Sequence, residues 1–299
     1  MTEILQFSDI PYTSFAAPNP SQSFDLFIPQ NTSSTPADAQ HHDAVPPLLC
    51  FVHGGAWRSE DKNDHLGLAR ALARFTRFPV VVPNYRLSPR ETTVDSYLHH
   101  PEHAKDVLCF LEFLRVWEGP RRSSPLPYDP TKLFLMGHSC GAHILASIFF
   151  EMPGDELIPS DWLSQSTKAI IASEGLYDID LLLSRHPAYR TWFIEPVFGQ
   201  RDSYGEISPT KAALRSTSHH IHWLIIHSTA DEYIDADESE VMYEHLVVQC
   251  NDRIAGNVTK NVDQIHQGHD DMLKENEAYV NIVGHYILET TFCFYRINA

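Results

Sequence analysis

Long apolar runs are missing from this chain: none approaches the roughly twenty consecutive residues that a membrane-spanning helix needs. Membrane partners are therefore not expected. Cysteine is scarce and odd in number, five in 299 residues, without the spacing of a disulfide framework. Free thiols and a reducing compartment follow as the expectation. Cys50, Cys109 and Cys293 lie in apolar stretches and are expected to be buried as small hydrophobes. Basic residues are also few: 22 Lys and Arg stand against 39 Asp and Glu, a net charge of −17. The one dense basic spot, Arg121-Arg122, sits in a Pro/Ser-rich loop. That balance argues against a nucleic-acid backbone or an anionic membrane surface as partner. Met1 to Ile10 carries acids and lacks the basic and apolar regions of a signal peptide, so a cytoplasmic location is expected. Metal and nucleotide signatures are absent too: no H-E-x-x-H, paired C-x-x-C, Walker A loop or dinucleotide fingerprint. The 18 histidines form only loose groupings, His220 with His222 and His99-His100 with His103. Such pairs more often solvate or cap, and neither a metal nor a cofactor is expected.

What is present is a 43% hydrophobic chain, enough for one large core. An alternating segment, Phe24–Ile28, ends at Pro29 and reads as an antiparallel strand; Gln30–Pro47 reads as an exposed loop. Buried strands are expected at Leu48–Val52, Val80–Val82, Leu133–Met136, Ala169–Ala172 and Trp223–Ile226, with a last strand over Val258–His266. Helical stretches fall between them: His65–Phe75, His103–Val116, Ala142–Phe150 and Tyr279–Leu288. This alternation predicts an α/β fold with a mostly parallel sheet covered on both faces, its ligands bound beyond the carboxyl ends of the strands. Residues 1–299 read as a single domain, with 151–167 and 184–208 as irregular, aromatic-containing segments that could cap a site.

Two motifs carry the chemistry. Gly137-His138-Ser139-Cys140-Gly141 lies between a buried strand and an apolar helix. That is the setting of a nucleophile elbow, whose sharp turn exposes a serine hydroxyl. Serine attacks a carbonyl only when a base takes its proton, so Ser139 is the candidate nucleophile. About eighty residues upstream, His53-Gly54-Gly55-Ala56-Trp57 also follows a buried strand. Its paired glycines let the backbone approach a substrate closely. The N–H groups of Gly54, Gly55 and Ala56, with that of Cys140, are the candidates for an oxyanion hole.

In hydrolases built on such an elbow, the acid and then the base follow the serine in the chain. Asp231 sits just past the strand Trp223–Ile226, where a carboxylate can orient an imidazole; Glu232, Asp235 and Asp237 compete with it. His245, His266, His269 and His285 follow, of which His245 and His285 lie in helix-like stretches. His269, on a loop with Gly268 before a helix, is the candidate base, and His266 the alternative.

These motifs resemble the α/β-hydrolase superfamily, in particular its hormone-sensitive-lipase-like branch, whose Tyr-Arg-Leu-x-Pro has its counterpart in Tyr85-Arg86-Leu87-Ser88-Pro89. Within that branch, His-Gly-Gly-x-Trp, Glu174-Gly175-Leu176-Tyr177-Asp178 and His269-Asp270-Asp271-Met272-Leu273 are similar to the kynurenine formamidase (arylformamidase) family of fungal type. The likeness runs from about Phe24 to Leu288. It departs at Ser228, where the superfamily usually has Gly, and in the long Gln30–Pro47 loop. The resemblance implies an α/β-hydrolase fold, no cofactor, a Ser139-Asp231-His269 catalytic triad and a small aromatic formamide as substrate. That substrate would be N-formyl-L-kynurenine, cleaved through a formyl-enzyme in tryptophan catabolism by the kynurenine pathway. Trp57, Tyr85 and Tyr177, with Trp192 and Phe193, are then the candidates to line the leaving-group side. A broad carboxylesterase of the same branch is the alternative, and a homodimer is an admissible assembly.

Overall fold

An uninterrupted apolar run such as Leu48–Val52 suits a strand buried on both faces, and in the computed structural model such runs lie side by side in one sheet. The structure describes residues 2–13, 17–30, 45–90, 98–121, 124–154, 156–250, 256–274 and 277–297. Its strands are β1 (Glu3–Pro11), β2 (Ser23–Gln30), β3 (Leu48–Val52), β4 (Val80–Pro83), β5 (Leu133–His138), β6 (Thr167–Ser173), β7 (His222–Ile226) and β8 (Val258–Asn261). Their spatial order is β1-β2-β4-β3-β5-β6-β7-β8. β1 pairs antiparallel with β2, and β2 with β4; the other pairings are parallel. The expected mostly parallel sheet is thus present, and Ser23–Gln30 is antiparallel as read.

The helices are α1 (Leu66–Thr76), α2 (Glu102–Phe113), α3 (Cys140–Phe149), α4 (Asp161–Ser166), α5 (Ile179–Arg185), α6 (Glu195–Phe198), α7 (Ala236–Gln249) and α8 (Glu277–Ile297). α1 illustrates how sequence sets an element. Asp61 and Asp64 form a capping box on the short 3₁₀ turn before it. Leu68, Ala69, Leu72, Ala73 and Thr76 make its buried stripe, and Arg77 ends it in the left-handed region. Through Leu68 and Leu72, α1 packs on one face of the sheet with Val283 and Ile287 of α8. Val107 and Leu111 of α2, Leu145 of α3 and Met242 of α7 belong to the core on the other face. Burying each such side chain contributes ~1.5–3 kcal/mol, and Leu72→Ala, which leaves a cavity in the stripe, would cost about 2–5 kcal/mol.

Two expectations need correction, and one strand is additional. Glu3–Pro11 is a strand that the sequence does not signal, because this edge strand is only partly buried and has no clean alternation. The last strand stops at Asn261 rather than His266. Beyond it the chain bonds to the loop after β7, with Thr229 N–H donating to the Ile265 carbonyl at 2.9 Å. Of the three cysteines expected inside, only Cys50 is buried; Cys109 and Cys293 are exposed on α2 and α8. Among the described residues no helix is long and apolar enough to cross a membrane. Most of the expected Gln30–Pro47 loop, residues 31–44, lies outside the described residues.

Candidate active site

Ser139 joins β5 to α3 at φ 53° and ψ −122°, a left-handed conformation that a non-glycine residue adopts at a cost. The corner is held by Ser139 N–H donating to the Ser173 carbonyl at 2.9 Å. Gly141 is required by close approach: a Cβ there would stand 2.3 Å from the Val52 carbonyl oxygen. β3 therefore lies against the first turn of α3, bringing the His53–Trp57 segment beside the serine. Cys140 is the first residue of α3, so its N–H has no partner within the helix.

The segment after β3 runs through three consecutive positive φ values, 88° at Gly55, 50° at Ala56 and 59° at Trp57. Gly55 needs its hydrogen side chain, since a Cβ would lie 2.2 Å from the Ser59 carbonyl oxygen. The Gly55 carbonyl accepts from Arg58 N–H at 2.9 Å and Ser59 N–H at 3.0 Å. Trp57 N–H donates to Cys140 Sγ at 3.1 Å, and Tyr85 donates its hydroxyl toward the carbonyls of His53 and Gly54, 3.0 and 2.9 Å away. The thiol of Cys140 is fully buried, which pushes its pKa up to about 12; it meets the loop as a neutral group.

Asp231 and His269 come together. Asp231 Oδ2 is 2.8 Å from His269 Nδ1 and its carboxylate is fully buried. Its other oxygen accepts the N–H groups of Tyr233 (2.8 Å) and Ile234 (2.9 Å). The competitors are engaged elsewhere. Asp235 pairs with His186 at 2.9 Å, Asp237 pairs with Arg185, and Glu232 accepts the backbone N–H of His269 at 2.9 Å. His266 is exposed, with Nδ1 2.7 Å from Thr229 Oγ1. His245 lies on α7 and bonds the Ala212 carbonyl, and His285 lies on α8. Ser228 ties the loop after β7 to the loop after β8: its hydroxyl faces the carbonyls of Gln267 and Ile265 at 2.5 and 3.2 Å. A glycine there would lose that link.

Ser139 and His269 line one cleft of about 190 Å³ with Gly55 and Ala56 on one side. Tyr189, Trp192 and Phe193 form an aromatic wall that continues to Tyr233, with Leu176 and Ile234 between. The wall comes from a π-helical turn, Arg190–Ile194, within the segment 184–208. Arg58 secures it by donating to the Trp192 carbonyl, and Tyr189 by donating its hydroxyl to the Tyr233 carbonyl at 3.1 Å. The segment 151–167 supplies no residue to this cleft among those described; Ser160 bonds Glu112 of α2 instead. Trp57, Tyr85 and Tyr177 do not line the cleft either. All three are completely or almost completely buried, packed beneath it, because apolar bulk at a strand end is drawn into the core. Trp57 meets Phe198 and His143 there, at ring centroid distances of 4.9 and 5.1 Å.

One residue at the site carries no signal of its own in a single sequence. Glu174, just past β6, is buried at the junction of β5, β6 and β7, with its carboxylate 3.1 Å from His269 Nδ1. Only the family-like block Glu174–Asp178 draws the eye to it. Possible metal donors also gather: His53, Glu60 and His65 bring ligand atoms within 4.8 Å of one another, as do His138, His269 and Asp270, and Glu174, Asp231 and His269. In the first set Glu60 is already bonded to His65 at 3.0 Å, and the other two share the imidazole of His269. The His99, His100 and His103 grouping is not among them; His103 faces Ser88 Oγ at 3.0 Å.

A mostly parallel sheet with a strained serine after β5 and an Asp–His pair on the loops after β7 and β8 defines an α/β hydrolase. The chain belongs to the BD-FAE family, which matches it over residues 35–246. It is similar to the kynurenine formamidase of Meyerozyma guilliermondii, 27% identical over 215 residues, 69% of this chain and 73% of that protein. A kynurenine formamidase-like hydrolase of Fusarium equiseti is 26% identical over 302 residues, 92% of each chain. The isoprenylcysteine alpha-carbonyl methylesterase of Arabidopsis thaliana is 25% identical over 237 residues, 76% of this chain and 50% of that one. Among solved structures, esterase B from Lactobacillus rhamnosis superposes with a TM-score of 0.70 at 16% identity, covering 99% of this chain and 88% of that one. A truncated carbohydrate esterase from gut microbiota gives 0.69 at 16% identity, covering 96% of both. These two share the fold.

Proposed function

We propose that this protein is a serine hydrolase that cleaves the formamide of N-formyl-L-kynurenine to kynurenine and formate. The observation that carries the reading is the 2.8 Å contact between Asp231 and His269 Nδ1, at a cleft that His269 shares with Ser139. A carboxylate at Nδ1 keeps the proton on that nitrogen, leaving Nε2 free to act as base. Ser139 Oγ attacks the formyl carbon while Nε2 of His269 takes the hydroxyl proton. The negative oxygen that forms is met by N–H groups drawn from Gly54, Gly55, Ala56 and Cys140. As the tetrahedral centre collapses, the C–N bond breaks and His269 protonates the departing aryl amine. Water then adds to the formyl-serine ester with His269 again as base, releasing formate and restoring the serine.

The aromatic wall of Tyr189, Trp192 and Phe193 suits a ring-bearing leaving group, and the formamidase relatives favour the formyl amide. The methylesterase relatives favour a second reading, a broad carboxylesterase using the same residues. Initial rates on N-formyl-L-kynurenine, p-nitrophenyl acetate and p-nitrophenyl butyrate, with Ser139→Ala as control, separate the two. A kcat/KM preference for the formyl amide that vanishes in the variant supports the formamidase. Ester turnover without formamide cleavage leaves only the esterase.

A further inference from the structure

Glu174 occupies a corner that a glycine would fill more easily, with φ at 49°, and its carboxylate is completely buried. A buried anion without donors is strongly disfavoured, so the groups around it explain its place. Oε1 accepts the N–H of Ser228 at 3.1 Å. Oε2 lies 3.3 Å from Nε2 of His138 and 3.1 Å from Nδ1 of His269. The same Nδ1 is 2.8 Å from Asp231 Oδ2. Both neighbours of Nδ1 are carboxylates, so that nitrogen carries the proton and has two acceptors. His138 Nε2 likewise faces only acceptors, Glu174 and the His269 carbonyl at 3.1 Å, and donates between them.

We propose that Glu174 is a positioning residue for the base, sharing the Nδ1 proton of His269 with Asp231 and holding the imidazole in place from a second side. This rests on the reading of Ser139 as nucleophile and His269 as base. Glu174 contacts no reacting atom. It acts through the imidazole, and through Ser228 and His138 it also fixes the acid loop and the tip of β5. Asp231 then divides with Glu174 a task that a single buried carboxylate performs in other triads.

The electrostatics agree with the geometry. The ring of His269 is faced by Glu174 from the end of β6, by Asp231 and Tyr233 from the loop after β7 and by His138 from β5, with His227 and Asp270 nearby and Glu232 on the backbone N–H of the same residue. Burial disfavours the imidazolium, but the bonds from Asp231 and Glu174 outweigh it and push the His269 pKa up to about 10. Burial alone would raise Glu174, yet its bonds from His138 and His269 bring it down to about 2. A base must be neutral to accept a proton, so kcat/KM rises with pH as His269 deprotonates, along a limb displaced to the alkaline side of an ordinary histidine. Removing one carboxylate shifts that limb to lower pH.

The test is the pH profile of kcat/KM on p-nitrophenyl acetate for the wild type, E174Q, D231N and the double variant, with thermal melting beside each. A triad with one acid loses about 10⁴-fold when that acid becomes an amide. Here D231N is expected to lose about 10²-fold, E174Q to shift the limb toward lower pH, and the double variant to fall well below D231N. An unmoved limb in folded E174Q, with D231N as inactive as the double variant, overturns the proposal. Should E174Q fail to fold, the low-field imidazole N–H resonance of His269 in Asp231→Ala decides, since alanine offers Nδ1 no acceptor of its own. Its persistence supports a second acceptor, and its loss removes Glu174 from the role. Failure of the underlying reading looks different: His269→Ala would keep wild-type rates whatever Glu174 does.

Discussion

The hydroxyl of Tyr85 lies 2.9 Å from the Gly54 carbonyl oxygen, beneath a loop whose next three residues all have positive φ. A backbone in so unfavourable a conformation keeps its shape only if its surroundings over-determine it, and Tyr85 is one of those surroundings. Tyr85→Phe is expected to lower kcat about tenfold with KM nearly unchanged. That is less than the 10²–10³ that follows direct loss of an oxyanion donor. Steady-state kinetics would show the opposite split, raised KM at constant kcat, if Tyr85 touched substrate.

His269 and His266 differ by three positions and entirely in surroundings, one buried against Asp231 and one exposed on Thr229. His269→Ala is expected to cost about 10³-fold or more in kcat, while His266→Ala stays near the wild type. Reversed outcomes in a side-by-side assay would move the base to His266.

Trp192 is about half exposed at the edge of the cleft, so shortening it removes contact area with little effect on the core. Trp192→Ala should raise KM for an aromatic substrate about fivefold, equivalent to about 1 kcal/mol, and leave the melting temperature in place. Equal KM values for aromatic and small aliphatic substrates in both proteins would exclude the wall from recognition.

Glu238 on α7 is buried, and its Oε2 accepts the N–H groups of Tyr177 (2.6 Å) and Asp178 (2.8 Å). Burial outweighs those bonds and pushes its pKa from 4.5 up to about 8. Between these values the folded chain binds a proton that the unfolded chain has released. The contribution of Glu238 to stability is therefore greatest below 4.5, declines as pH rises and levels off above 8, with a slope of up to about 1.4 kcal/mol per pH unit. Glu238→Gln, which keeps an oxygen for both N–H groups, should flatten that decline in urea unfolding. A decline as steep as the wild type's would assign the pH dependence to other groups.

The sequence was most legible where chemistry and burial coincide locally. The turn at Ser139 shows because it stands between an apolar strand and an apolar helix, and the loop that carries Asp231 because it begins at the end of a buried strand. The sequence was least legible where one residue's role depends on distant partners. Trp57, Tyr85 and Tyr177 sit in the right loops, yet whether an aromatic ring faces a cleft or the core is decided by neighbours such as His143 and Phe198 that only folding supplies. Glu174 is the converse case, a lone acid whose meaning comes from His138, Ser228 and His269, all remote in the chain. The early end of β8 does not show because alternation over Val258–Val262 says nothing about the loop after β7 that claims the residues after Asn261.

That early end of β8 has a consequence for how the protein fails. His269 is carried by a stretch without ladder bonds to a neighbouring strand, tied down by Ser228, Thr229 and Glu232. Opening this stretch alone disturbs few buried apolar contacts, whereas unfolding the sheet disturbs nearly all of them, so the two events stand far apart in free energy. On warming, activity should fade while the sheet's circular dichroism is still intact, and return on cooling without refolding of the chain.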